Sequence, residues 1–168
     1  EVLAADMLPG LRKDRPQLSD EELQRIARGG ASQYAQGILG KYGVKAGKLV
    51  LQPAGLARML RERRIDRRHA LGILKALIAH ELTHAIQAQE VDVIDLIAAA
   101  KTDDAAAAAT AVVEGQAMFV QERIGEALAW GEAEREYART FSLESLDFPD
   151  PAEQVVHARQ EFTYLEGK

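Results

Sequence analysis

The 168-residue chain is 47% apolar and 28% charged, a balance that fits a globular protein and excludes a disordered or collagen-like one. Acidic residues exceed basic ones by 26 to 21, a formal charge of −5, and aromatic residues are only 5%, so no nucleic-acid partner is expected. Cysteine is absent, which excludes disulfides, thiolate metal sites and a cysteine nucleophile. The length predicts a single domain over residues 1–168. No run of about 18 apolar residues occurs, so no transmembrane segment is expected.

Residues 1–17 read as irregular, because Pro9-Gly10 and Pro16 interrupt them. Ser19 with Glu22 forms a capping box that predicts a helix starting near Asp20. Leu23, Ile26, Ala27, Ala31, Tyr34 and Ile38 then recur at helical spacing. Gly29-Gly30 either weakens this helix or admits another element closely, and Gly40, Gly43 and Gly47 mark its end and a turn.

The segment from Lys48 to Gln52 is the one convincing strand, stopped by Pro53, which suits a sheet edge. A short basic helix follows over residues 54–64. Arg58, Arg61, Arg63, Arg64, Arg67 and Arg68 make a positive run, either a solvated face or an anion or partner site. A long helix is predicted from Arg67 to Gln89, with an apolar stripe of Leu71, Leu74, Leu77, Ile78, Leu82 and Ala85. Residues 92–101 read as another short helix. Asp103 or Asp104 then caps a second long helix that runs through an alanine tract to about Trp130. A loop over residues 142–151 leads to a last helix, capped by Asp150 and ending near Leu165.

Chemistry concentrates in His80-Glu81-Leu82-Thr83-His84. Residues four apart share one helix face, so His80 and His84 can offer two imidazole nitrogens to one ion. Glu81 can reach a water beside that ion without ligating it, the H-E-x-x-H arrangement of zinc hydrolases. Two of the four histidines are used here. A catalytic zinc takes a third protein ligand. The metzincin spacing is not followed, since Gln87 and Glu90 stand where its glycine-and-histidine extension would run.

Glu114 is the best candidate for that third ligand. It lies mid-helix among Ala111, Val112, Val113 and Ala117, where a carboxylate is costly unless paired or metal-bound. Gly115 beside it would let two helices approach. The alternatives are a Glu114 at the border of a polar face, or a ligand from Glu90, Asp92 or Asp95, which follow the motif helix closely.

HELTHAIQAQ over residues 80–89, then VVEGQA over residues 112–117, resembles a bacterial zincin group. Its members carry HELTHALQDQ and later an EGDA- or EGEA-like segment. This is the gluzincin pattern of thermolysin-like peptidases. The resemblance implies one zinc ion per chain held by His80, His84 and Glu114, with Glu81 as general base. It also implies a peptide or protein substrate and a mostly helical α+β, zincin-like fold with an active-site helix, a glutamate helix and a small edge-strand sheet. PAEQVVH at residues 151–157 resembles the group's PSTEQILH, which suggests His157 as the donor to the oxyanion. Tyr164 is the alternative donor.

The chain departs from the group in places. QAQ replaces QDQ, and Gln116 stands where Asp or Glu is frequent. Met118 occupies the position where thermolysin-like enzymes place an Asp that holds a ligand histidine, so another group must orient the histidines here. His69 is expected to be a surface or capping residue. The strand at Lys48 to Gln52 is expected either to hold an extended substrate or merely to close a small sheet.

The functional expectation is a zinc metallopeptidase. Its alternatives are a regulatory protease of narrow specificity and a non-catalytic interaction module. The chain opens at Glu1, not Met, so an upstream segment is expected, and a secreted or cell-envelope location in a bacterium is narrowly favoured over the cytoplasm.

Overall fold

The structure, a computed structural model, describes residues 1–133 and Arg135. It is mostly helical, with one small antiparallel sheet. In chain order come α1 (Val2–Asp14), α2 (Asp20–Ala35), β1 (Gly40–Gly43), β2 (Lys48–Leu51), α3 (Pro53–Glu62), a 3-10 turn (Arg67–His69), α4 (Ala70–Glu90), α5 (Val93–Ala98) and α6 (Asp103–Ala127). The loop expected at residues 142–151, the helix expected after it, and His157 and Tyr164 upon it lie outside the described residues. Among the described residues, no helix is long and apolar enough to cross a membrane.

The N-terminal segment corrects the sequence reading, because α1 is a regular helix with Pro9 inside it. Proline lacks the N–H that would bond back to Ala5, and a mid-helix proline costs about 3 kcal/mol. Burial opposes that cost. Ala4 of α1 packs with Ala27 and Ala31 of α2, and Leu3, Met7, Leu8 and Leu11 cover the cluster. Side chains tie α1 further into the fold. Asp6 accepts from the Val44 and Lys45 amides at 3.0 and 2.8 Å, and Lys13 donates to the carbonyls of Ala98 and Ala100 at the end of α5.

The capping box of α2 forms as expected: Ser19 Oγ accepts from the Glu22 amide, and Glu22 Oε2 accepts from the Ser19 amide at 2.9 Å. The glycines of residues 40–47 read as a turn, with that stretch or residues 1–16 as the alternative source of a further strand; the strand is supplied by Gly40–Gly43. β1 pairs with β2 in the register Gly40↔Leu51, Lys41↔Val50, Tyr42↔Leu49, Gly43↔Lys48. A four-residue strand containing two glycines has no β propensity to read. It forms because β2 and α4 hold it from either side. The sheet meets α4 through β1. A Cβ on Gly40 would stand 3.0 Å from Leu77 Cδ2, so glycine permits the approach.

α3 starts with Pro53 at its first turn and packs Leu56 and Leu60 with Ile65, Ile73 of α4 and Ala133. The six arginines of the positive run are all exposed; Arg58 faces Glu62, and Arg68 faces Asp66 and Glu132. α4 corrects a second expectation. Its buried residues are Ile73, Ala76, Leu77, His80, Glu81, Thr83, His84 and Gln87, while Leu71 and Leu82 of the expected stripe are exposed. The inward face is thus the polar face of the motif, because α6 and β1 both pack there. α6 is capped by Thr102, whose side chain accepts from the Ala105 amide at 3.1 Å, and not by Asp103 or Asp104. Asp103 and Asp104 lie in the first turn, where their charge suits the helix dipole.

Candidate metal centre

His80 and His84 stand one turn apart on α4, and Glu114 faces them from α6. All three are buried, at 8%, 3% and 6% exposure. His80 Nε2 lies 3.0 Å from Glu114 Oε2, His84 Nε2 lies 3.4 Å from the same oxygen, and the two Nε2 atoms are 3.1 Å apart. The rings meet edge to face, with centroids 4.8 Å apart. Donors about 2.05 Å from a tetrahedral zinc are about 3.3 Å from one another. The observed triangle is close to that spacing. Two nitrogens and a carboxylate oxygen packed this closely in a buried site are favourable only with a shared proton or a cation between them.

The electrostatics follow from this geometry. Burial alone would push the Glu114 carboxyl up, but hydrogen bonds from His80 and His84, and their charge, outweigh it. The group therefore titrates well below the usual carboxylate range. Burial disfavours a charged His84, but the hydrogen bond and charge of Glu114, aided by Gln87, leave its pKa raised. Glu114 thus ends as a paired carboxylate, which is how an acid tolerates such burial.

Glu81, also buried, accepts from the backbone amide of Tyr42 in β1, at 2.6 Å from its Oε2. That amide points away from β2, since Lys41 and Gly43 occupy the alternate positions facing the partner strand. The bond fastens the glutamate of the motif to the outer edge of β1.

The other candidates are elsewhere. Asp92 and Asp95 hold Lys45 Nζ at 2.7 and 3.2 Å, Asp92 also caps α5, and Glu90 is exposed. None of them joins the cluster, which among the described residues consists of His80, His84 and Glu114. His69 is not a surface residue. It is buried at the start of α4, makes no side-chain cap, and accepts from Arg68 Nε at 3.1 Å.

Two residues at the site escaped the sequence reading. Gln87 entered only where the chain departs from the metzincin spacing and the QDQ form. The structure puts its Oε1 2.8 Å from His84 Nδ1 and its Nε2 2.9 Å from both Val113 O and Gln116 Oε1. The signal was available, since position 87 is one turn beyond His84 and two beyond His80, on the same face. Tyr42 acts through its backbone, so no side-chain pattern marks it.

Comparison with protein-family models, with curated proteins and with solved structures gives no match. The functional reading therefore stands on the residues and their geometry.

Proposed function

We propose that the protein is a zinc-dependent hydrolase of peptide bonds, of the gluzincin type its HELTH segment resembles. The observation that carries this reading is the convergence of His80 Nε2, His84 Nε2 and Glu114 Oε2 at 3.0–3.4 Å from two helices. Two neutral imidazoles and one carboxylate suit zinc and leave a net positive centre with a fourth position open. A zinc ion held there would polarise a carbonyl oxygen and acidify water.

Glu81 takes the proton of the attacking water and hands it to the leaving amine nitrogen. The Tyr42 amide holds Oε2 and so fixes the carboxylate, leaving Oε1 for that transfer. His157 belongs to the same proposal as donor to the oxyanion, and His157→Ala should lower kcat while leaving bound zinc unchanged.

One observation favours a second reading, a metal-stabilised module that binds a partner without cleaving it. The Tyr42–Glu81 bond gives Glu81 a structural task that needs no catalysis. Glu81→Gln separates the two, because the amide keeps an acceptor for Tyr42 and keeps the ligand set. On an unfolded protein substrate, the hydrolase should lose about 100- to 10,000-fold in turnover with zinc retained. A zinc-loaded wild type that cleaves neither an unfolded protein nor a mixed peptide library would favour the module.

A further inference from the structure

We propose that Gln87 is a positioning residue that locks His84 in the tautomer whose Nε2 lone pair faces Glu114 and His80. The inference deepens the metal-site reading and rests on it for its functional meaning. The argument begins at Val113, whose backbone carbonyl can only accept a hydrogen bond. The Gln87 side-chain atom 2.9 Å from it is therefore the NH2 group. The second hydrogen of that group goes to Gln116 Oε1, also at 2.9 Å. With both amide hydrogens committed to α6, Gln87 presents its oxygen to His84 Nδ1 at 2.8 Å.

An amide oxygen only accepts, so Nδ1 carries the hydrogen. A neutral imidazole has one N–H, so once His84 gives up the proton it donates to Glu114, Nε2 is left with its lone pair. That lone pair belongs to the atom 3.1 Å from His80 Nε2 and 3.4 Å from Glu114 Oε2. Reversing the amide would set oxygen against the Val113 carbonyl and NH2 against Nδ1–H. Each buried polar group so orphaned counts against the reversed form. Gln87 thus does for His84 what a carboxylate does in many zinc sites, but without a second negative charge. The centre keeps one anionic ligand and more of its Lewis acidity. Gln116 completes the clamp, which gives a task to the position where the resembling group carries an acid.

Two readouts test this on the full chain. Long-range 15N–1H correlation on the metal-free protein, at a pH where His84 is neutral, reports its tautomer. Competition against a fluorescent chelator reports the zinc Kd. The wild type should show His84 as Nδ1–H. Gln87→Leu should release it toward Nε2–H, the form free imidazole side chains prefer, and raise the zinc Kd about 10- to 100-fold. Gln116→Leu, which leaves the Val113 contact in place, should do less. An Nε2–H tautomer in the wild type overturns the proposal. So does a folded Gln87→Leu with unchanged tautomer and Kd. If Gln87→Leu does not fold, the wild-type tautomer decides alone. A wild type with Nδ1–H that binds no zinc would sink the hydrolase and leave the tautomer lock standing.

Discussion

Glu114 Oε2 on α6 stands 3.0 Å from His80 Nε2 on α4, across 34 positions of sequence. No local rule produces this contact. It exists because α6 packs along the buried face of α4, the most extensive packing between any two described elements.

The first prediction concerns that contact. Purified wild type should carry about one zinc per chain by elemental mass spectrometry, the number a single three-ligand site holds. Glu114→Gln keeps the side chain's shape and removes its charge. It should weaken zinc by more than the about 10- to 100-fold typical of losing an outer partner. Undiminished zinc in Glu114→Gln would remove Glu114 from the ligand set.

The second concerns pH, and its sign differs with and without metal. The Glu114 pKa is lowered on folding, so its contribution is present above its ordinary 4.5 and is lost as pH falls through the lowered value. The His84 pKa is raised, so its contribution is full below its ordinary 6.5 and is lost as pH rises through the raised value. Metal-free protein should therefore melt at a higher temperature at pH 5.5 than at pH 8 as far as this pair contributes. Zinc needs neutral imidazole, so the rise in Tm on adding zinc should be larger at pH 8. At about 100 times its Kd, zinc adds about 2.7 kcal/mol, or roughly 5–10 °C for a chain this long.

A third prediction addresses the seat of β1 on α4. Gly40→Val places its Cβ 3.0 Å from Leu77 Cδ2 and 3.1 Å from Leu51 Cδ2, with two methyls beyond. Overpacking of this kind costs about 1–3 kcal/mol, which urea denaturation would measure. The displaced strand should also loosen the Tyr42–Glu81 bond, so turnover should fall while zinc binding holds. Unchanged stability would show that β1 moves freely against α4.

A fourth tests the start of the glutamate helix. Thr102→Ala removes the acceptor for the Ala105 amide and should cost about 1 kcal/mol. Asp103→Ala should cost less, since it loses only an interaction with the helix dipole. Equal losses in urea denaturation would contradict the assignment of Thr102 as the cap.

Some of this was legible in the sequence for a plain reason. His80 and His84 share a face because an α-helix repeats every 3.6 residues, and the Ser19–Glu22 box closes within one turn, so both are local facts. Glu114 was legible as an anomaly, a carboxylate among small apolar neighbours that needed a partner. What only the tertiary structure decided are the contacts between distant segments. Propensity argued against α1, and burial of its apolar residues on α2 overrode Pro9. β1 has no pattern of its own and exists between β2 and α4. Hydrophobic spacing on α4 pointed to Leu71 and Leu82 as core, yet the helix turns its polar face inward, because that face is where Glu114, Tyr42 and Gln116 satisfy it. Buried polar groups must find partners, and which partners arrive depends on how separate helices pack.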